Sequence, residues 1–121
     1  MSEIQKAKSY DLEERTFNFA KDVRSFIKQL PHSTAYFEDA RQLVRSSGSL
    51  GANYIEANEA LSKKDFLHRI KISKKETKET IFWLRLIETG EDIKLQTERA
   101  RLINESTELM KIFGSIYRNS E

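Results

Sequence analysis

Cysteine is absent from the chain, which removes disulfides, zinc–thiolate centres and thiol chemistry together. Proline occurs once and glycine four times in 121 residues, too few for a fold built from many turns. No apolar run approaches the roughly 20 residues that cross a bilayer. The opening segment MSEIQKAKSYDLEERTF lacks the apolar stretch of a secretory signal. Charge of one sign is not in excess either. A third of the residues are charged, yet the net formal charge is only +2, so an electrostatic argument has to rest on local clustering. Histidine appears twice, at His32 and His68. These scarcities fit a cytoplasmic chain with no membrane partner and no cofactor.

What is present has helical period. Leu12, Phe19, Val23, Phe26 and Leu30 recur at three- and four-residue multiples, with Asp11 and Glu14 at N-cap and N3 spacing and Pro31 as a stop. A second segment, capped by Ser33 or Thr34, carries Phe37, Ala40, Val44, Ser47, Gly51, Tyr54 and Asn58 on one line and ends near Leu61. Ser62 and Asp65 have capping-box spacing at the third start, with Leu61 and Phe66 placed for a hydrophobic staple. Phe66, Ile70, Ser73, Thr77, Thr80, Leu84 and Ile87 follow, and Gly90 is the expected stop. The last segment runs from about Leu95 to Tyr117, with Ala100, Ile103, Thr107, Met110 and Phe113 in line. Four helices with short links predict an all-α, antiparallel up-down-up-down four-helix bundle. It forms a single domain over residues 1–121, with 1–10 as a flexible lead-in.

The stretch RSSGSLGANYIEANEA, residues 45–60, admits two readings. Gly48-x-x-Gly51 has the four-residue pattern of a backbone-clamping loop, but that loop belongs to a fold with a sheet, and no strand pattern occurs here. The helical period continues through the pair, so the expectation is an unbroken helix whose small side chains admit a neighbour closely. An antiparallel hairpin of the second and third helices sets Ser49 opposite Ser73 and Ser46 near Thr77. The same register sets Arg41 and Arg45 near Glu76 and Glu79.

Two features point outward. Between Lys63 and Lys78 stand seven Lys/Arg against two Asp/Glu. Lys64, His68, Lys71, Lys75 and Lys78 form a stripe opposite the core line, flanked by Lys63 and Lys74. Such a stripe suits the backbone phosphates of RNA or DNA; a merely solvated face is the alternative. Above it, Ile81, Phe82, Trp83, Leu84, Leu86 and Ile87 nearly encircle the helix. One bundle hides one face of a helix, so Phe82, Trp83 and Leu86 are candidates for an oligomer interface, against the alternative of deep burial within one subunit. Catalytic machinery is not expected. Asp65-x-x-His68 is half of a di-iron carboxylate–histidine pair, without a second copy or further inward glutamates, so no metal site is predicted.

The segment SLGANYIEANEALSKKDFLHRIKISKKETKETIFWL carries a resemblance. Its small residues precede Asn53-x-x-Glu56; Ser62 opens the next helix; Phe66, Ile70, Lys71 and Ile72 follow, then Glu79. It resembles the bacterial four-helix-bundle proteins encoded by intervening sequences of large-subunit ribosomal RNA genes, which include accessory proteins of diversity-generating retroelements. The chain departs from that pattern at Ala57, where glycine is usual, and at Lys75-Glu76, where a small pair is usual. The resemblance implies a cyclic homopentamer without catalytic activity and, in the retroelement branch, contact with nucleic acid and a reverse transcriptase. A protein-interaction scaffold with no nucleic-acid role is the other function left open.

Overall fold

The computed structural model describes residues 3–121, with side chains from Asp11 onward. Four helices follow one another: α1 (Glu3–Lys28), α2 (Tyr36–Asn58), α3 (Lys63–Leu86) and α4 (Ile93–Ser120). Each packs on its neighbours in the order α1–α2–α3–α4–α1, and across the diagonal the rings of Tyr54 on α2 and Phe113 on α4 meet in the core at 5.7 Å between centres. The fold is the four-helix bundle expected from the helical period. Among the described residues no helix is long and apolar enough to cross a membrane.

The helix ends differ in how legible they are. Ser62 caps α3 as its spacing requires, its hydroxyl accepting from the Asp65 amide at 3.1 Å. Ser62→Ala should therefore lower stability by about 1 kcal/mol, read as a shift in the urea midpoint at unchanged slope. The staple beside it does not form, because Leu61 is fully exposed (101%) and only Phe66 packs inward. Asp11 and Glu14 do not start a helix: α1 begins at Glu3 and passes through them. Residues 1 and 2 and the side chains of 3–10, which make up the lead-in, lie outside the described residues. Neither Ser33 nor Thr34 caps α2 with its side chain; Ala35 holds the N-cap position, and the backbone carbonyl of Ser33 accepts from the Tyr36 amide. The third helix ends at Leu86, before the expected stop. Gly90 instead turns the α3–α4 link at φ +67°, a left-handed conformation that favours glycine, and Asp92 caps α4.

The core runs through Phe19, Val23, Phe26, Leu43, Leu50, Tyr54, Ile70, Leu84, Leu102, Leu109 and Phe113. Two helix faces differ from expectation, α2 by widening and α4 by rotation. In α2 Ala40, Ser47, Gly51 and Tyr54 of the expected line are buried, but the buried face extends over Leu43, Ser46, Leu50 and Ala57, and Phe37 is 71% exposed. In α4 the buried line is Leu95, Leu102, Ser106, Leu109 and Phe113, leaving Ala100 outside.

Between the apolar layers runs a hydroxyl seam. Ser73 donates to the Leu50 carbonyl at 2.9 Å, Thr80 to the Ser46 hydroxyl at 2.9 Å, and Ser106 to the Thr77 carbonyl at 3.0 Å. Ser46 thus meets Thr80, one turn from the expected Thr77. These short side chains let α3 lie close to both neighbours, and among the described residues every buried polar side-chain atom is bonded.

Helix α2 runs unbroken through Gly48 and Gly51, as the period on either side predicts. The glycines face α1, whereas Ser46 faces α3. A β-carbon on Gly51 would stand 2.9 Å from Thr16 Oγ1, whereas one on Gly48 would meet nothing closer than Arg24 Nη2 at 3.6 Å.

Candidate nucleic-acid and self-association surfaces

The outer face of α3 is built by default. Ile70, Ser73, Thr77, Thr80 and Leu84 turn inward, so the residues on the far side of the helix face outward. Lys63, Lys64, His68, Lys71, Lys74, Lys75 and Lys78 are all exposed. None is ion-paired with a carboxylate among the described residues; every ion pair there is made by an arginine. Lys71 Nζ rests 5.9 Å from the centre of the Tyr117 ring, and the lysine stems line a shallow furrow of about 630 Å³ over Ile72. The structure adds a residue that sequence reasoning missed. Arg118 Nη1 and the end of Lys74 both reach the space over Gly114, so the cationic surface continues onto the end of α4. The missing side chain at Gly114 was the available signal.

Phe82 and Leu86 continue the same outer column above Lys78, 53% and 50% exposed. Trp83 is half-buried against the core, with Phe82 standing edge-on to it at 5.0 Å between ring centres. The two predicted sites are therefore one face, basic below and apolar above.

A second apolar surface went unnoticed in the sequence. Phe17 on α1 (57% exposed) and Ile55 on α2 (47%) flank a groove of about 400 Å³ between the two helices, lined by Thr16 and Ala20 of α1 and by Gly48, Gly51 and Ala52 of α2. Phe17 lies off the core line of α1, and an isolated apolar residue there carries no periodic signal.

Polar residues of the resemblance motif serve the α2–α3 joint. Asn53 donates to the carbonyl and hydroxyl of Ser49, both at 3.0 Å, and accepts from Arg69 at 3.1 Å. Arg45 reaches Glu76 at 3.0 Å and Glu79 at 3.5 Å, as the hairpin register predicts, whereas Arg41 pairs within its own helix with Glu38. The Glu76 side chain is almost fully buried. That burial, with the neighbouring Glu79, raises its pKa above the usual carboxyl range against the pull of Arg45. Glu79 is lowered, chiefly by its hydrogen bond with Glu76. On the far side Arg15 grips Glu105 through two 2.8 Å bonds, and Arg101 reaches Asp22 at 3.1 Å, closing α1 onto α4. Among the described residues no three His, Asp or Glu side chains converge in a way that could hold a metal ion.

Residues 8–115 match the family described as 23S rRNA-intervening sequence protein. The chain is also similar to a crystal structure of a protein with unknown function from the S23 ribosomal protein family of Bacteroides thetaiotaomicron VPI-5482. The two share 33% identity at a TM-score of 0.76, over 87% of this chain and 96% of that one. No curated protein matches the chain.

Proposed function

The chain belongs to the 23S rRNA-intervening sequence protein family, and on that footing we propose that it is a non-enzymatic, self-associating bundle that holds nucleic acid by its phosphates along α3. What carries this reading is the column of exposed cations from Lys64 to Lys78, unpaired among the described residues and backed by a rigid helix. Lysines so placed position a phosphate backbone without reading bases. Self-association, as a homopentamer by resemblance, repeats the column around a ring. The reading places the chain in the cytoplasm and includes no catalytic step.

A second reading, a protein-interaction scaffold, is favoured by the exposed Phe82, Leu86, Phe17 and Ile55. Its partner would be another protein, such as the reverse transcriptase that the resemblance brings in.

Titration of labelled single- and double-stranded RNA and DNA at low salt separates the two. About five phosphate contacts on duplex DNA give a log–log salt slope near −4.5, so binding should fall by roughly 500-fold between 50 and 200 mM salt. Lys71→Glu, Lys75→Glu and Lys78→Glu combined should abolish binding and leave helicity unchanged. Absence of binding to all four probes, or binding that survives the triple change, returns the column to a solvated surface and leaves the scaffold.

A further inference from the structure

Glu79 is out of character with the surface it stands on. The furrow along the outer face of α3 is lined by Lys71, Lys74, Lys75 and Lys78, and Glu79 is the one carboxylate among its described lining residues. A carboxylate there opposes a bound phosphate in two ways. It repels the anion directly, and it competes for a lysine that the phosphate would use. Lys75 lies four residues before Glu79, the spacing at which side chains on a helix meet. Yet among the described residues no lysine pairs with Glu79. Its partner comes from another helix: Arg45 of α2 brings Nη2 to 3.5 Å from Glu79 Oε1. Arg45 is itself held in place. Its Nη1 donates to Glu76 Oε2 at 3.0 Å and its Nε to Gln42 Oε1 at 3.2 Å. The Glu76 side chain is almost fully buried in the α2–α3 joint, so this anchor is fixed to the core. A planar guanidinium suits the task, since its rigid fork faces two carboxylates at once.

We propose that Arg45 is a positioning residue for the phosphate-binding column: anchored on Glu76, it neutralises Glu79 and holds that carboxylate away from Lys75, leaving Lys75 free for phosphate. The inference rests on the nucleic-acid reading and adds to it a residue of a different helix that touches no phosphate itself. Without Arg45, Glu79 has Lys75 as its nearest same-face cation, and pairing between them removes one phosphate contact from the column. A half-exposed ion pair such as Arg45–Glu79 adds little to stability. Its main effect is then on the charge that the furrow presents.

A double-mutant cycle on binding tests this, with whichever labelled RNA or DNA probe, single-stranded or duplex, the unaltered chain holds most tightly. The cycle is built in the Glu76→Gln chain, so that removing Arg45 strands no buried charge. Circular dichroism with a thermal melt checks that each variant folds. Arg45→Gln should weaken binding roughly five- to eightfold at 0.1 M salt. It should also reduce the log–log salt slope by about 0.7 on a single strand or 0.9 on a duplex, the share of one phosphate contact. Glu79→Gln should bind at least as tightly as its parent. Once Glu79 is glutamine, Arg45→Gln should change neither affinity nor slope, because no carboxylate is left to restrain. The inference is overturned if Arg45→Gln leaves affinity and slope unchanged in the presence of Glu79. It is equally overturned if Arg45→Gln weakens binding by the same factor in both backgrounds, since Arg45 then acts as a phosphate contact or a structural support in its own right. An unaltered chain that binds none of the probes at low salt removes the nucleic-acid reading, and this inference with it.

Discussion

Gly51→Leu should destabilise the bundle by about 3 kcal/mol, whereas Gly48→Ala should raise stability by up to about 1 kcal/mol. Sequence reasoning treats the two glycines alike, since both sit on α2 among small residues. The structure separates them by what each one faces. A β-carbon at Gly51 would fall 2.9 Å from Thr16 Oγ1 and 3.1 Å from Thr16 Cβ, closer than such atoms pack. Thr16 cannot give way easily, because it is buried and its hydroxyl donates to the Glu13 carbonyl at 2.8 Å. The helix-propensity gain of about 1 kcal/mol from replacing glycine is then outweighed by forcing α1 off α2. At Gly48 the nearest atom is the tip of the flexible Arg24 side chain, so the propensity gain stands alone. Urea midpoints for the pair decide the matter; equal losses at both positions would mean that α1 does not lie against Gly51 as described.

Glu76→Gln should stabilise the protein at neutral pH and flatten its stability profile above the acid range. The folded chain holds the Glu76 proton more tightly than the unfolded chain does, because burial beside Glu79 disfavours the charged form. Stability from this group is therefore complete below the ordinary carboxyl range and is lost as pH rises through the raised value. Glu79 works in the opposite direction, its pKa lowered by the same pair, so its share is present above the ordinary range and lost in acid. A glutamine amide at position 76 can accept from Arg45 and donate to the Glu79 carboxylate at any pH, as the protonated acid does. Thermal melts from pH 4 to 8 should show the unaltered chain losing ground relative to Glu76→Gln toward the upper end. Parallel profiles would mean that Glu76 ionises without penalty.

Local chemistry made parts of this fold readable. Ser62 needs only its own neighbours to cap α3, and the 4-3 spacing of Ile70, Ser73, Thr77, Thr80 and Leu84 fixes the inward face of that helix. The basic column follows from the same spacing, which is why its exposure is legible in the sequence. Helix α4 resisted because it is apolar on more than one side: Ile103, Met110 and Tyr117 form a half-buried line beside the fully buried Leu102, Leu109 and Phe113. Leu61 had the chemistry and spacing of a staple, yet the link carries it into solvent. The α1–α2 groove was illegible for a further reason. It exists only once Phe17 and Ile55 stand side by side, and they come from helices whose register is set by Thr16 against Gly51.

The α1–α4 joint has a consequence for time as well as for shape. Three of the four packed pairs join helices consecutive in the chain, whereas α1 and α4 are brought together from its two ends and approach one another least. Closing the longest loop carries the largest entropy loss, so this joint forms late, after the α2–α3 hairpin with its hydroxyl seam. The arginine clasps across it, Arg15 to Glu105 and Arg101 to Asp22, are then absent from the folding barrier and present in the finished bundle. Bonds of that kind leave the speed of folding nearly unchanged and slow the escape from the native state. The clasps act on opening rather than on folding, each by the small amount expected of an exposed ion pair, about 0–1 kcal/mol.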